Sequence, residues 1–140
     1  MQLHIGAQRK TSSHLKELVG SAGGYAAMGQ STDIATLVSV LDTMDRENQL
    51  PKTILYNLNP SDNAAFACLT GAFSEDGVTG KIQFGPAWWY NDHYDGITDQ
   101  LSALTNHGLL HHNIGMTTDS RSFLSQSRHE YFRRVFCQFI

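Results

Sequence analysis

The sequence lacks the features that mark three broad classes of protein. It has no basic excess, since ten Lys and Arg stand against thirteen Asp and Glu and the formal net charge is −3. Without a basic field a surface cannot hold an extended polyanion, which disfavours nucleic-acid binding. No apolar run approaches the roughly 20 residues of a membrane-spanning helix, and the first ten residues lack the charged-then-apolar order of a secretory signal. We therefore expect a cytoplasmic chain with neither a nucleic-acid nor a membrane partner.

Cysteine is also scarce. The two cysteines, Cys68 and Cys137, both lie among apolar residues, which is typical of reduced core thiols rather than of a disulfide scaffold or a cysteine zinc cage. His129 and Glu130 begin like a helical zinc motif, but Arg133 stands where the second histidine is needed. Any metal must therefore use other ligands. Arg128, Arg133 and Arg134 are interpreted as a solvated helix face.

The chain has the pattern of one α/β domain over residues 1–140. Four short apolar runs, over 2–6, 53–58, 81–85 and 113–117, are each followed by a stretch with helical spacing, and no low-complexity linker divides them. Helices are expected from about 31 or 32, from Asn59 and Pro60 to about Gly71, up to Gly108, and finally along an apolar side formed by Tyr131, Val135, Phe136 and Phe139. Strands separated by helices become parallel neighbours joined by right-handed crossovers. The pattern therefore predicts four consecutive parallel βα units.

In such folds ligands bind at the carboxyl ends of the strands. Polar or aromatic residues follow all four predicted strands: His4; Asn57 and Asn59; Trp88, Trp89, Asn91 and Asp92; Asp119 and Arg121. Each also has an ordinary structural interpretation. His4 and the tryptophans could belong to the core, Asp119 could cap the last helix, and capping by Asn59 explains that residue fully.

Asp119 and Arg121 are the strongest candidates at these ends. A carboxylate and a guanidinium two residues apart, just past an apolar strand, can both point over the sheet edge. The carboxylate can ligate a divalent ion or accept a proton, and the guanidinium fork matches a substrate carboxylate or a polarised oxygen. An idle salt bridge between the two remains the alternative.

Several longer segments are more specific to one protein family than these single residues are. They are QLHIGA at 2–7, LPKTILY at 50–56, GKIQFG at 80–85, WWYND at 88–92, TDSRSF at 118–123 and RHEYFRR at 128–134. In this order they resemble the uronate isomerase family, also called glucuronate isomerase, along the whole chain. The resemblance implies an aldose–ketose isomerase of the amidohydrolase superfamily, with a (β/α)8 barrel, that converts D-glucuronate to D-fructuronate and D-galacturonate to D-tagaturonate.

The resemblance also implies roles for individual residues. His4 corresponds to the histidine that ends the fifth barrel strand, Arg9 to an arginine in the loop after it, and Trp88 and Trp89 to the residues after the seventh strand. Asp119 corresponds to the aspartate that ends the eighth strand and ligates a divalent metal, expected to be zinc, and Arg121 to an arginine that contacts the substrate. Asp119 is the candidate base that moves the proton between C2 and C1, and the arginines are a natural clamp for the uronate carboxylate. His4 and the indoles would orient hydroxyls and exclude water.

The predicted site is incomplete within this sequence. A full barrel needs eight strands and about 250 residues, so four strands correspond to the C-terminal half, strands five to eight. The family's other metal ligands form a His-x-His pair, which none of the seven histidines supplies. We expect the chain to pair with itself or with the missing N-terminal half. The alternatives are a metal-dependent hydrolase of the same superfamily and a catalytically idle half barrel that only self-associates.

Overall fold

Strands and helices alternate along much of the chain. The structure is a computed structural model, and it describes residues 1–20, 23 and 25–140. The strands are β1 (Gln2–Ile5), β2 (Ala7–Arg9), β3 (Ala26–Met28), β4 (Thr53–Asn57) and β5 (Ile82–Phe84). The helices are α1 (Ser13–Val19), α2 (Ile34–Arg46), α3 (Asn63–Ala72), α4 (Tyr94–His107) and α5 (Ser127–Phe139). Short 3-10 turns cover Pro60–Asp62, Trp89–Asn91, Leu110–His112 and Phe123–Gln126.

The central sheet is parallel, as the sequence predicts, with the strand order β1, β4, β5. Leu3, Leu55 and Phe84 stand side by side in its register. Residues in register share one face of a sheet, and these three pack in one core with Leu37 and Leu41 of α2 and with residues of α3 and α4. The predicted helical spacing after the first strand is thus confirmed, and its apolar residues lie on the side of α2 that covers the sheet.

The fourth predicted strand, over 113–117, does not form in the described structure. The Asn113 side-chain amide donates to the Phe84 carbonyl at 3.1 Å, so a side chain takes an acceptor that a strand would use. Gly115 then turns the backbone with a φ of 84°, and its N–H donates to Asn113 Oδ1 at 2.6 Å. A backbone with positive φ cannot continue an extended ladder. The parallel sheet therefore has three strands where the sequence predicted four.

The polar, glycine-rich stretch after β1 holds elements that the sequence did not predict. β2 and β3 form an antiparallel hairpin in which Arg9 pairs with Ala26. The Gly29 N–H donates to the Gly6 carbonyl at 2.7 Å, which ties the hairpin to the end of β1. A Cβ on Gly29 would approach that same oxygen to 2.9 Å, so only glycine allows this contact without a shift. Between the two strands of the hairpin, α1 buries no residue, and it is capped by Ser12, whose hydroxyl accepts from the Leu15 N–H.

The helix ends follow capping rules closely. Asn59 Oδ1 accepts from the Ser61 N–H at 3.1 Å, and Pro60 is the first residue of the 3-10 turn that leads into α3. The predicted cap at Asn59 is therefore confirmed. The next helix back, α2, begins two or three residues later than predicted because Asp33, rather than Ser31 or Thr32, accepts from the Thr36 N–H. Gly108 follows the last residue of α4, as predicted.

The last helix, α5, packs against α4 through a second apolar cluster. Its buried members are Ala87, Ile97, Leu101, Phe132 and Val135. Tyr131, Phe136 and Phe139 pack against this cluster from α5 and are partly buried, which confirms the predicted apolar side. The cluster fixes α5 beside the loop that follows β5.

The cysteines and the lengths of the helices bear on two further expectations from the sequence. Cys68 and Cys137 are free thiols, but both are exposed, so the prediction that they are core residues is wrong. On α3 the buried positions are Phe66, Ala67 and Leu69, and Cys68 falls on the outer side of that helix. In the part of the chain that the structure describes, no helix is both long and apolar enough to cross a membrane.

Candidate active site

An aromatic cluster occupies the carboxyl end of the parallel sheet. His4 of β1 lies edge-on to Tyr56 of β4 and to Trp88, with ring centroids 5.0 and 4.7 Å away. Such T-shaped pairs are favourable for aromatic rings. His4 is exposed, so it is not a buried core histidine. Trp88 is only 2% exposed, and its indole N–H donates to the Asn57 carbonyl at 3.0 Å. Trp88 is thus a core residue that also forms a wall beside His4.

The neighbouring indole, that of Trp89, brings two distant charged residues together. The Arg9 guanidinium carbon lies 4.8 Å from the centroid of the Trp89 ring, a cation–π distance. The indole N–H donates to Asp119 Oδ2 at 3.3 Å. The structure therefore places five of the predicted site residues in one connected group: His4, Trp88, Trp89, Arg9 and Asp119.

Asp119 does not have the structural role that was its alternative interpretation. The 3-10 turn before α5 is capped by Ser122, whose hydroxyl accepts from the Leu124 N–H at 3.3 Å. Asp119 is exposed, and its backbone has a φ of 52°, a left-handed conformation that only a few per cent of residues other than glycine adopt. Its carboxylate is therefore available to a ligand while one oxygen is held by Trp89.

Arg121 is the predicted site residue that the structure leaves apart from this group. It is exposed, and among the described residues no salt bridge joins it to Asp119. The alternative of an idle Asp119–Arg121 pair is therefore not observed. The guanidinium is open to solvent and to an anionic ligand.

Asn57 at the end of β4 and Asn91 in the loop after β5 hold the loops beside the site. The Asn57 side-chain amide donates to the Asn59 carbonyl at 2.9 Å and to Asn63 Oδ1 at 2.8 Å. The Asn91 amide donates to the Leu58 carbonyl at 2.9 Å, which ties the loop after β5 to the end of β4. These side chains are occupied by backbone and by one another, so they hold the loops and offer little to a ligand.

Arg128 was interpreted as part of a solvated face, and that interpretation is wrong. Its guanidinium binds Asp92 with Nε to Oδ2 at 2.8 Å and Nη2 to Oδ1 at 2.7 Å, and Nη2 also donates to the Asp92 carbonyl at 2.6 Å. This hydrogen bonding to the Asp92 side chain raises the pKa of Arg128 above its ordinary value. The Tyr131 ring lies 4.2 Å from the guanidinium carbon. The pair fastens the start of α5 to the loop that carries both tryptophans.

Sequence reasoning also missed the two tyrosines that border the site. Tyr56 is 1% exposed, and its ring is tilted against that of Trp88 with the centroids 4.7 Å apart. The Tyr90 hydroxyl donates to the Ala26 carbonyl at 2.5 Å and so holds the hairpin against the loop after β5. Tyr56 lies in the predicted second strand, which gave a signal for it, and in the structure it pairs in register with His4. The sequence has no local signal for the contact of Tyr90.

The described residues do not by themselves fit a metal site. Within 1–20, 23 and 25–140 no three His, Cys, Asp or Glu side chains are grouped so that they could hold a metal ion. Asp119 offers a single carboxylate, whereas a bound divalent ion takes three or more protein ligands in most catalytic sites. A metal at this position would need ligands from residues beyond this chain.

A cavity of about 440 Å³ lies elsewhere, beside β5 and the last turns of α3 and α4. Its lining includes Thr70, Gln83, His107, His112 and Asn113. None of the predicted site residues borders it. Of the predicted fourth strand, Asn113 alone is among its lining residues, so the cavity is separate from the predicted site.

The parallel sheet and its βα units define an α/β protein, a class whose ligand sites lie at the carboxyl edge of the sheet. A sequence profile of the family described as glucuronate isomerase matches residues 1–140. The chain therefore belongs to the glucuronate isomerase family.

Individual relatives agree with this assignment. The chain is 54% identical over 140 residues to uronate isomerase of Haemophilus influenzae (strain 86-028NP) and 49% identical to that of Vibrio vulnificus (strain YJ016). In each case all of this chain and 30% of the relative is covered. The chain thus spans about 30% of the length of the curated relatives that it matches.

Two crystal structures have the same fold. Uronate isomerase of Thermotoga maritima superposes with a TM-score of 0.83 at 35% identity and covers 99% of this chain and 29% of its own. Glucuronate isomerase of Caulobacter crescentus gives a TM-score of 0.82 at 24% identity and covers 99% of this chain and 28% of its own. The second likeness is one of fold alone. Both superpositions include the segment around Asp119, since they cover nearly the whole chain.

Proposed function

We propose that the chain supplies the carboxyl-edge half of a uronate isomerase active site, which interconverts D-glucuronate with D-fructuronate and D-galacturonate with D-tagaturonate. The observation that carries the proposal is the connected group of His4, Trp88, Trp89, Arg9 and Asp119 at one sheet edge in a member of this family. Residues 1–140 would form one domain, strands five to eight of a (β/α)8 barrel of the amidohydrolase superfamily. In that barrel 113–117 would pair as the eighth strand once a further strand lies beside it.

Asp119 is the proposed base. Isomerisation begins when a carboxylate removes the C2 proton of the open-chain aldehyde and leaves an enediolate; return of that proton to C1, with transfer of the O2 proton to O1, gives the ketose. The carboxylate is exposed, and Trp89 holds its Oδ2. Hydrogen-bond donors at the enediolate oxygens stabilise the developing charge, and His4 and Arg121 are exposed side chains that could donate to them.

The two arginines are the proposed clamp for the uronate carboxylate. Arg9 rests on the face of Trp89 at 4.8 Å, and Arg121 is exposed. A guanidinium fork matches a carboxylate with two parallel hydrogen bonds. The Trp88 and Trp89 rings would form an apolar wall against the sugar and exclude water from it.

We further propose that Asp119 is one ligand of a divalent ion, with zinc as the expected metal, in the assembled enzyme. Such an ion supplies a Lewis acid that polarises a substrate oxygen. The remaining ligands must come from residues outside this chain, and they imply a partner: the missing N-terminal half or a second copy. We propose a cytoplasmic location for this enzyme.

A complementation assay tests the proposed function. The chain is assayed on D-glucuronate by a coupled reaction, alone and mixed with the part of the Haemophilus influenzae relative that it does not cover. We expect turnover in the mixture and none from either component alone. Turnover by the chain alone would refute a site shared with residues elsewhere.

Two further outcomes would favour the alternatives. Product from an ester, amide or lactone, with D-glucuronate unchanged, would indicate a hydrolase of the same superfamily. Stable oligomers of the chain with no zinc uptake and no turnover in any mixture would indicate an idle half barrel.

A further inference from the structure

We propose that Trp89 is a positioning residue: its indole N–H holds the Asp119 carboxylate in the orientation that proton transfer needs, while Arg9 fixes the indole from its face. The proposal rests on the proposed function, because that function makes Asp119 the base. It adds a role for Trp89 that acts through Asp119, beyond that of a wall beside the substrate.

The first support is the contrast between two adjacent indoles. Trp88 is buried and donates to a backbone carbonyl, that of Asn57, at 3.0 Å. Trp89 is half-buried and donates to a side chain, Oδ2 of Asp119, at 3.3 Å. The Trp88 hydrogen bond fastens a loop to the sheet. The Trp89 hydrogen bond instead ends on an exposed carboxylate that contributes nothing to the core, so its effect is on the position of that carboxylate.

The second support is the backbone at both ends of this hydrogen bond. Trp89 has a φ of 55° and Asp119 a φ of 52°. This left-handed region is unfavourable for residues that carry a Cβ, and a large ring such as that of Trp makes it an outlier. Residues held in sparsely populated conformations cluster at active sites, where the surrounding structure maintains them. Here two such residues face each other across one hydrogen bond.

The third support is that the remaining contacts of Trp89 restrict its ring. The Arg9 guanidinium lies 4.8 Å from its centroid. The Tyr90 ring stands edge-on at 6.1 Å, and the Trp88 ring is tilted at 5.8 Å. A ring held by three neighbours aims its N–H in one direction. One indole therefore orients both the proposed base and one arm of the proposed carboxylate clamp.

Nuclear magnetic resonance of the 140-residue chain tests the coupling without any assay of activity. The chain has two tryptophans, so its indole N–H groups give two signals, and Trp89→Phe identifies the one that belongs to Trp89. We expect Asp119→Ala to move this signal upfield and to speed its exchange with solvent. Asp119→Asn, which keeps an acceptor oxygen, should move it less. Asp99→Ala, at an exposed aspartate of α4, is the matched control and should leave it unchanged.

The kinetic consequence is measured in the complemented enzyme. Trp89→Phe keeps an aromatic face for Arg9 but removes the N–H, and we expect kcat to fall about tenfold with KM little changed, the scale seen when a group that orients a reacting residue is removed. Trp89→His retains a ring N–H and should restore part of kcat. A merely structural role predicts instead a lower melting temperature with no rescue by His over Phe.

The outcomes separate this proposal from the proposed function. If the chemical shift and solvent exchange of the Trp89 indole N–H do not change in Asp119→Ala, the positioning role is overturned. The same holds if Trp89→Phe leaves kcat unchanged or raises KM alone. Absence of isomerase activity in the unmutated mixture refutes the proposed function instead. In that case the indole signal still decides whether Trp89 holds Asp119.

Discussion

The two faces of the β1–β4–β5 sheet are covered by different means. On one face Leu3, Leu55 and Phe84 lie beneath α2, α3 and α4 and pack with their apolar residues in one core. On the other face Tyr56 is the buried aromatic, covered by Trp88 and by the exposed His4. The first face is thus covered by helices of this chain. The opposite face and its carboxyl edge present charged and aromatic groups outward, as expected of a surface that completes its site with residues from elsewhere.

The largest expected effect is a loss of activity without a loss of stability. It concerns the open face, by which we mean the face of the sheet opposite α2, α3 and α4 together with its carboxyl edge. Asp119→Asn in the complemented enzyme should lower turnover of D-glucuronate about 10²- to 10⁴-fold, the contribution of a general base. Because Asn tolerates a left-handed backbone and the site is exposed, the melting temperature should stay the same. Asp99→Asn, at an exposed aspartate on α4, is the control. Normal turnover by Asp119→Asn would exclude this carboxylate as the base.

The next effect compares the two faces directly. Leu55 is 0% exposed, and Leu55→Ala should lower the free energy of unfolding by about 2–5 kcal/mol, the cost of a core cavity. His4→Ala removes two edge-on ring contacts on the open face and, at about 0.5 kcal/mol for each contact of this exposed ring, should cost about 1 kcal/mol. Urea unfolding of the 140-residue chain measures both. Equal losses would show that the open face is as much a core as the covered one.

A smaller effect is expected where α5 meets the loop after β5. Arg128→Ala removes the paired hydrogen bonds to Asp92, and we expect a loss of about 1–2 kcal/mol in the free energy of unfolding, since the pair is partly exposed. Arg134→Ala, which breaks an exposed i,i+4 pair with Glu130, should cost less than about 0.5 kcal/mol. Urea unfolding at neutral pH compares the two variants. The ranking fails if Arg134→Ala proves the more costly.

The smallest effect is pH-dependent and belongs to the covered face. The Thr36 hydroxyl and N–H both donate to the Asp33 carboxylate at the start of α2, which lowers the pKa of Asp33 below its ordinary value of 3.8. A carboxylate with a lowered pKa in the folded state stabilises the fold above its unfolded pKa, and this contribution is lost as the pH falls through the folded pKa. Asp33→Ala should therefore lower the melting temperature slightly at pH 7. The difference between variant and parent should shrink in strong acid, and a difference that grew on acidification would contradict the sign.

The sequence predicted elements whose signals are local. β1, β4, β5 and α2 follow from short apolar runs and from helical spacing, and the carboxyl-edge rule then named His4, Trp88, Trp89 and Asp119. The strand over 113–117 could not be judged in the same way, because a strand needs a partner and the edge of β5 instead receives the side chain of Asn113.

Other features depend on contacts between distant parts of the chain. The strands of the β2–β3 hairpin have three residues each, too few to show an alternating pattern. Arg128 and Asp92 meet across a loop and a helix, so charge spacing along α5 alone suggested a solvated face. The hydrogen bond from Trp89 to Asp119 requires two left-handed residues, and no sequence rule assigns that conformation to Trp.

The contact of the Tyr90 hydroxyl with the Ala26 carbonyl has a mechanical consequence. Ala26 is the register partner of Arg9. The turn after β5 therefore contacts both strands of the hairpin at the same residue pair, Ala26 through the Tyr90 hydroxyl and Arg9 through the Trp89 ring. A two-stranded hairpin with strands this short is marginally stable alone. The movement of Arg9 is accordingly limited by that turn, because each strand of the hairpin is held by an aromatic side chain of the turn.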